Sequence, residues 1–216
     1  MSLITLKNVK KVYGKNQVLF ENLSLEIEKG EFVGLVGRSG AGKTTLLNII
    51  GLITDISAGT ITIDGHQNVS INSKDAMILR RYTIGYLFQN YGLIEDESVL
   101  WNLKLALEYK KIKKKEKLKL IDKYLKQFEL TDMLDKKVYQ LSGGEQQRIA
   151  IIKLILQGSR IILADEPTSG LDKENESIVM KLLKELNENG ITIIMVTHNM
   201  NLLDCFSRVI NVENFR

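Results

Sequence analysis

The sequence predicts an α/β fold with a parallel core sheet, an antiparallel β-subdomain and an inserted α-helical subdomain. The core sheet is indicated by residues 160–164 and 191–196, two nearly continuous apolar runs of the kind found in parallel strands buried on both faces. The β-subdomain is indicated by residues 3–9 and 18–27, where apolar and polar residues mostly alternate. Residues 90–157 have a largely helical pattern and form the predicted insertion.

The remaining elements follow from shorter signals. A strand is predicted over residues 31–36, directly before a glycine-rich loop, and a helix over residues 44–53 directly after it. Asp64-Gly65 is a turn signal, and Asn189-Gly190 ends a helix whose inner face includes Leu182 and Leu183. Short strands are predicted over residues 59–63 and 83–88. We expect one domain over residues 1–216, with the core and β-subdomain in residues 1–89 and 159–216 and the helical subdomain in residues 90–158.

Composition favours a soluble intracellular protein. The chain has 216 residues, 44% of them hydrophobic, and so can form a substantial core. No apolar run reaches the ~18 residues of a membrane span, and the first residues lack the features of a signal peptide. Cys205 is the only cysteine and is predicted to be a small buried hydrophobe. Trp101 is expected in the core of the helical subdomain and His66 at the surface.

Positive charge is concentrated in one segment. The net charge is +4, yet residues 110–126 contain nine lysines against Glu116 and Asp122, which leaves −3 for the rest of the chain. Apolar residues recur there at near-helical spacing, which favours the solvated face of a helix. Two other roles stay open for the lysines: attraction to anionic lipid headgroups near a membrane partner, and nucleic-acid binding, which the non-basic remainder of the surface disfavours.

Residues 37–44, Gly-Arg-Ser-Gly-Ala-Gly-Lys-Thr, fit the pattern G-x-x-x-x-G-K-[ST] of a phosphate-binding loop. Glycines let backbone N–H groups point at phosphate oxygens, and the next helix adds its positive N-terminal end. Lys43 would neutralise the β- and γ-phosphates, and Thr44 would ligate Mg²⁺. The predicted nucleotide-binding residues are Gly37, Arg38, Ser39, Gly40, Ala41, Gly42, Lys43, Thr44 and Thr45.

Two carboxylates follow a predicted buried strand. Asp165 and Glu166 directly follow the run Ile-Ile-Leu-Ala. Charged side chains at the end of a buried strand cost free energy unless a partner or a metal compensates them. Asp165 suits the Mg²⁺ shell, and Glu166 is placed to polarise an attacking water as a general base. A cap for a helix or loop is the alternative, although one carboxylate would be enough for a cap.

Residues 141–146, Leu-Ser-Gly-Gly-Glu-Gln, form a second glycine-rich helix start. Ser142 and Glu145 fit a capping box, which does not account for Gly143 and Gly144. Glycine near the first turn of a helix is unfavourable unless something approaches the backbone closely, as a phosphate does. We therefore predict that Ser142, Gly143 and Gly144 meet the γ-phosphate of ATP bound to another copy of the chain.

Over essentially its whole length, the chain resembles the ATP-binding cassette (ABC) family. Residues 37–44 resemble its Walker A motif, residues 141–146 its signature motif, and residues 161–165 with Glu166 its Walker B motif and catalytic glutamate. The resemblance implies a P-loop NTPase (RecA-like) core.

The resemblance also assigns roles to single residues. Gln89 resembles the Q-loop glutamine, which senses Mg²⁺ and faces the membrane partner. Asp172 ends a Ser-Gly-Leu-Asp run similar to the D-loop at the dimer seam. His198 matches the switch histidine that contacts the γ-phosphate. Tyr13 matches the aromatic residue that stacks on adenine, with Val18 nearby.

Finer resemblance is to cassettes of the macrolide-exporter and lipoprotein-release type and to small bacteriocin or antimicrobial-peptide export cassettes. Residues 86–94, Tyr-Leu-Phe-Gln-Asn-Tyr-Gly-Leu-Ile, carry it. Such relatives usually have Pro-Thr-Ser-Gly before the next strand, whereas residues 56–59 are Ile-Ser-Ala-Gly and keep only the glycine.

The resemblance implies an ATPase that forms a homodimer around two MgATP and drives a separately encoded membrane permease, as an exporter of peptide, lipid or antibiotic type. Its expected place is the cytoplasmic face of the cell membrane, and no nucleic-acid partner is expected. The alternative is a soluble ABC ATPase acting on nucleic acid or the ribosome. Such proteins usually have tandem cassettes, long coiled-coil insertions or zinc-binding cysteines.

Overall fold

The computed structural model describes residues 2–14 and 17–215. In chain order its strands are β1 (Ser2–Tyr13), β2 (Gln17–Glu28), β3 (Phe32–Val36), β4 (Ala58–Ile63), β5 (His66–Gln67), β6 (Ile84–Leu87), β7 (Ile161–Asp165), β8 (Thr192–Val196) and β9 (Arg208–Asn211). Its α-helices are α1 (Lys43–Ile50), α2 (Lys74–Tyr82), α3 (Val99–Ala106), α4 (Lys114–Gln127), α5 (Gly143–Gln157) and α6 (Lys173–Glu188). Each predicted element is present, with ends that differ by up to a few residues.

Strands β2-β1-β4-β5 form an antiparallel sheet in that order. Leu6 faces Leu25 of β2 on one side and Ile61 of β4 on the other, so that apolar side chains from three strands meet. The predicted alternation is confirmed: Ile4, Leu6 and the inward residues of β2 are buried, and the residues between them are largely exposed.

The central sheet is parallel, in the order β6-β7-β8-β3-β9. Every residue of β8 is buried, as is all of β7 except its last residue, which confirms the interpretation of their apolar runs. Strand β9 was missed because its four residues alternate between half-buried and exposed, as suits the edge of the sheet. The pleat of the sheet sends alternate residues to two separate hydrophobic clusters.

The two clusters fix what lies on each face of the central sheet. One combines Leu35 and Leu163 with α1 and the inner face of the antiparallel sheet. The other combines Ile162 and Ile193 with α3, α4, α5 and α6. The carboxyl ends of the parallel strands are therefore held from both sides, and the loops that follow β3, β7 and β8 lie at one edge. The division into subdomains at residues 89 and 158 stays a prediction.

Two expectations about burial were wrong. Trp101 is 39% exposed because it lies on the outer side of α3. Cys205 is exposed in a short 3₁₀ segment, Met200–Cys205. In α4, Ile121 and Leu125 face the core, whereas Leu118 is 38% exposed. Among the described residues, no helix is both long and apolar enough to cross a membrane.

Candidate functional site

The glycine-rich loop leaves β3 and ends at the start of α1. Gly42, the N-cap of α1, has φ +100°, a conformation that favours glycine. A Cβ at this position would lie 2.7 Å from Cζ of Phe20 and 3.0 Å from Cδ2 of Leu19. Phe20 is fully buried, so β2 forms a rigid support directly beneath the loop. The glycine demanded by the motif is therefore also demanded by packing.

Lys43 lies inside the loop and closes it. Its Nζ donates to the carbonyl oxygens of Gly37 at 2.8 Å and Arg38 at 3.0 Å, and the residue is only 6% exposed. Ala41 is buried, and the Arg38 side chain points outward to Glu213 at 3.6 Å. The loop thus holds one ammonium group among backbone carbonyl groups at the positive end of a helix.

A hydrogen bond joins this loop to β7. Thr44 Oγ1 donates to Oδ1 of Asp165 at 3.1 Å. Burial raises the pKa of the Asp165 carboxyl group above its usual value, and the nearby Glu166 carboxylate raises it further. The Thr44 hydroxyl and the Lys43 ammonium oppose this pKa shift. A cation placed between Thr44 and Asp165 would remove the penalty of burying this charge.

Glu166 and His198 form a close pair at the same edge of the sheet. His198 follows β8, and its Nε2 lies 2.8 Å from Oε1 of Glu166. The backbone of Glu166 has φ +49°, an uncommon conformation for a non-glycine residue, and its N–H donates to the carbonyl of Val196 at 3.2 Å. This turn directs the carboxylate of Glu166 toward the loop that follows β8.

These groups border a cavity of about 260 Å³, the loop cavity. Tyr13 borders it too, with its hydroxyl 3.3 Å from Oγ1 of Thr45, and 41% of the tyrosine is exposed. The residues that line the loop cavity are Tyr13, Gln17, Leu19, Ser39, Gly40, Gly42, Lys43, Thr44, Thr45, Glu166 and His198.

Two of the lining residues, Gln17 and Leu19, were not predicted. Because alternate residues of a strand point to opposite sides, β2 turns these two toward the cavity and Val18 between them away from it. The alternation in the sequence places both on one side of β2 but does not show that this side meets the loop. A contact between Val18 and nucleotide stays a prediction.

Gln89 stands apart from the loop cavity. It is exposed, two residues after the end of β6, and does not line that cavity. Its predicted roles toward Mg²⁺ and a membrane partner stay predictions.

The second glycine-rich motif starts α5. Ser142 Oγ accepts from the N–H of Glu145 at 3.3 Å, and Oε2 of Glu145 accepts from the N–H of Ser142 at 2.7 Å, so the capping box is formed. A Cβ on Gly144 would collide with the side-chain amide of Asn175, and one on Gly143 would lie 2.9 Å from the Tyr91 hydroxyl. Packing within the chain thus accounts for Gly144, and this glycine does not by itself indicate a ligand.

Asp172, predicted at a dimer seam, is the N-cap of α6. It accepts from the N–H and the side-chain amide of Asn175 at 2.8 and 2.9 Å. These hydrogen bonds hold the pKa of its carboxyl group below the usual value. Asp172 therefore positions the asparagine that packs on Gly144, which links the start of α5 to the start of α6.

The oxygens near the loop suit Mg²⁺. Thr44 and Asp165 supply one hydroxyl and one carboxylate, and Mg²⁺ usually binds to one or two carboxylates together with substrate phosphates and water. Among the residues that the structure describes, no cluster of three or more His, Cys, Asp and Glu could form an all-protein metal cage. The site fits a metal that arrives with a phosphate ligand.

Comparison with known proteins identifies the arrangement. Residues 20–169 match the family model described as ABC transporter. The chain belongs to the ABC transporter family. It is therefore an ATPase cassette, with the P-loop core that the sequence predicted.

Relatives extend along nearly the whole cassette. The macrolide export ATP-binding/permease protein MacB of Campylobacter jejuni is 42% identical over 212 residues, which cover 98% of this chain and 33% of MacB. This ABC chain thus spans about a third of the length of the MacB relatives. The uncharacterized ABC transporter ATP-binding protein MJ1508 of Methanocaldococcus jannaschii is 40% identical, and the match covers 98% of this chain and 96% of MJ1508.

Solved cassettes have the same fold. A dimeric structure of the bacterial ABC transporter cassette MJ0796 superposes with a TM-score of 0.87 at 38% identity. The match covers 96% of this chain and 93% of the MJ0796 chain. A second dimeric structure of MJ0796, in a post-hydrolysis state bound to ADP and Pi, superposes with a TM-score of 0.86 at 37% identity.

Proposed function

We propose that two copies of this cassette close around two MgATP and that hydrolysis drives a separate membrane permease, in an exporter of peptide, lipid or antibiotic type. The observation that carries the proposal is the shared edge of the central sheet, where Lys43, Thr44, Asp165, Glu166 and His198 converge. MacB, a relative of the cassette, is named as a macrolide exporter, which favours export as the direction.

Each converging residue has a role in phosphoryl transfer. Lys43 and the N–H groups of residues 37–44 bind the β- and γ-phosphates, and Tyr13 stacks on the adenine. Thr44 and Asp165 would hold Mg²⁺, which would neutralise charge on the phosphates. Glu166 accepts a proton from the attacking water, and His198, 2.8 Å from that carboxylate, contacts the γ-phosphate.

The proposed dimer completes each site with the start of α5 from the other copy. Ser142, Gly143 and Gly144 do not line the loop cavity of their own chain. The N-terminus of α5 offers N–H groups and a positive dipole end to a phosphate. The dimeric MJ0796 cassettes support this arrangement.

A groove beside the Q-loop is proposed as the permease site, and we name it the Lys153 groove. It consists of two adjoining hollows of about 370 and 310 Å³ that share Arg80, Lys153 and Gln157. Phe88, directly before Gln89, lines it and is 40% exposed. An apolar and aromatic groove with basic residues on one wall would bind a helix of a membrane protein, provided that the end of this helix carries acidic groups. This contact would hold the cassette at the cytoplasmic face of the membrane.

The test uses the Glu166→Gln variant, which retains the shape of the side chain but removes the base. We expect turnover to fall by on the order of 10²–10⁴-fold, and ATP to trap a dimer in sedimentation. Glu188→Gln, which makes the same change at the exposed end of α6, is the control and should retain turnover.

Two outcomes would contradict the proposal. A Glu166→Gln protein that remains monomeric at saturating ATP would exclude the shared site. Wild-type turnover per chain that does not fall on dilution, at concentrations where sedimentation shows only monomers, would do the same.

A further inference from the structure

The lysines of residues 110–126 form an exposed strip at the start of α4. We define the lysine strip as Lys111, Lys113, Lys114, Lys115 and Lys119, all of them exposed. Helix α4 buries Ile121 and Leu125 against the helical cluster, so its other side is open to solvent. The strip therefore concentrates positive charge on a short stretch of surface.

Neighbouring acids do not neutralise this charge. The carboxylate of Glu116 accepts the backbone N–H of Lys113 at 3.0 Å, and Asp122 pairs with Lys126 at 2.7 Å. Within residues 2–14 and 17–215, no carboxylate forms an ion pair with a lysine of the strip. The charge of the strip is thus available to an external anion.

The strip is unfavourable for the helix that carries it. Lys113, Lys114 and Lys115 stand at the positive end of the α4 dipole, where acidic residues would stabilise the helix. Lys115 and Lys119 are also like charges one turn apart, which destabilises a helix further. Because folding does not account for these lysines, an external role becomes the better explanation.

Exposed apolar and aromatic residues precede the strip in the sequence and lie within it. Tyr109 and Leu105 line the Lys153 groove and are 53% and 44% exposed, and Leu118 within α4 is 38% exposed. Lys110 precedes the strip in the sequence, and its side chain reaches the end of α5. Its Nζ lies 3.1 Å from the Cβ position of Gly158, the residue that follows the groove residue Gln157. Lysines combined with exposed tyrosine and leucine are typical of surfaces that lie in the headgroup region of a bilayer.

We propose that the lysine strip binds the anionic lipid headgroups of the membrane leaflet that faces the cassette. The orientation rests on the proposed function, because the Lys153 groove beside the strip would face the permease and hence the bilayer. A lysine near an anionic membrane surface contributes about 1 kcal/mol, or about a fivefold gain in affinity. Several such lysines would add a second attachment that does not involve the permease.

The test measures binding of the purified cassette to vesicles, without any permease. The vesicles are phosphatidylcholine, either alone or mixed with phosphatidylglycerol, and bound protein is separated by sedimentation. The variant replaces Lys114, Lys115 and Lys119 by Gln. Its control replaces Lys7, Lys29 and Lys184 by Gln; these three are also exposed, and the change in net charge is the same.

We expect the wild type and the control to bind only phosphatidylglycerol vesicles, and the strip variant to bind them at least tenfold more weakly. Raising the salt from about 0.1 M to about 1 M, which shortens the Debye length from about 10 Å to about 3 Å, should release the wild type. Unchanged ATPase turnover and circular dichroism show that the strip variant is folded.

Three results would overturn the proposal. The first is equal binding of the wild type to both vesicle types, and the second is an equal loss of binding in the strip variant and the control. The third is that the wild type binds duplex DNA through the strip but does not bind phosphatidylglycerol vesicles. None of these results bears on the proposed dimer, since Glu166→Gln trapping and turnover on dilution are measured without lipid vesicles. Failure here is therefore distinguishable from failure of the proposed function.

Discussion

Replacing Gly42 by alanine tests whether β2 supports the phosphate loop. The new Cβ would stand 2.7 Å from the Phe20 ring, and Phe20 is fully buried and cannot move away. Overpacking of this kind costs about 1–3 kcal/mol. The backbone at φ +100° adds about 1–2 kcal/mol for any residue with a Cβ. We expect the free energy of unfolding to fall by about 2–5 kcal/mol in total.

Gly40→Ala is the matched control from the same loop. Gly40 also has a positive φ, +74°, yet among residues 2–14 and 17–215 no atom lies within 4 Å of its Cβ position. This variant should therefore lose only the backbone contribution of about 1–2 kcal/mol. Urea denaturation of both variants without nucleotide gives the difference, which we expect to be about 1–3 kcal/mol.

The double variant Gly42→Ala, Phe20→Leu separates the two causes. Leucine removes the ring atom that meets the new Cβ, so the two substitutions should be less destabilising together than their sum. Equal losses for Gly42→Ala and Gly40→Ala, or strict additivity in the double variant, would refute the argument that the Phe20 ring restricts residue 42.

Three further predictions concern the site and its support. Asp165→Asn should raise the free energy of unfolding at neutral pH without nucleotide, because the raised pKa of Asp165 means that its ionised carboxylate opposes folding. This gain should vanish in acid, where the carboxyl group of the wild type is protonated. In thermal melts, MgATP should stabilise the wild type but not the variant. Lys43→Ala should abolish saturable binding of a fluorescent ATP analogue while circular dichroism stays unchanged, because the phosphates lose their main counter-charge. Asn102→Ala should lower the free energy of unfolding in urea by about 2–3 kcal/mol, because its fully buried amide satisfies both backbone groups of Ile94.

Periodicity was enough to predict the buried strands of the central sheet and the two long strands of the antiparallel sheet. Strands buried on both faces, such as β7 and β8, produce unbroken apolar runs, and β1 and β2 alternate because one face is solvated. Edge strand β9 gave no such signal, since its four residues are neither uniformly apolar nor long enough for a clear alternation. Periodicity reports burial, and burial is weakest at the edge of a sheet.

The site was predictable where a motif is local in sequence. The loop of residues 37–44 and the pair Asp165 and Glu166 could be identified because backbone and carboxylate chemistry require them at fixed spacing. The contribution of Gln17 and Leu19 could not, since it depends on how β2 crosses over the loop. The packing of Phe20 against the Gly42 position could not be predicted for the same reason.

The polar groups of the loop cavity are already satisfied by one another. Lys43 donates to two loop carbonyl groups, Thr44 to Asp165, and His198 pairs with Glu166. MgATP would have to exchange each of these bonds for a phosphate or metal contact. Such an exchange changes little in the number of bonds, but it involves three segments at once, those following β3, β7 and β8. Since α6 follows the loop after β7 and its cap Asp172 positions Asn175 against Gly144, the same exchange would reach the start of α5. The structure thereby provides a continuous physical route from the loop cavity to the surface that we propose the second copy uses.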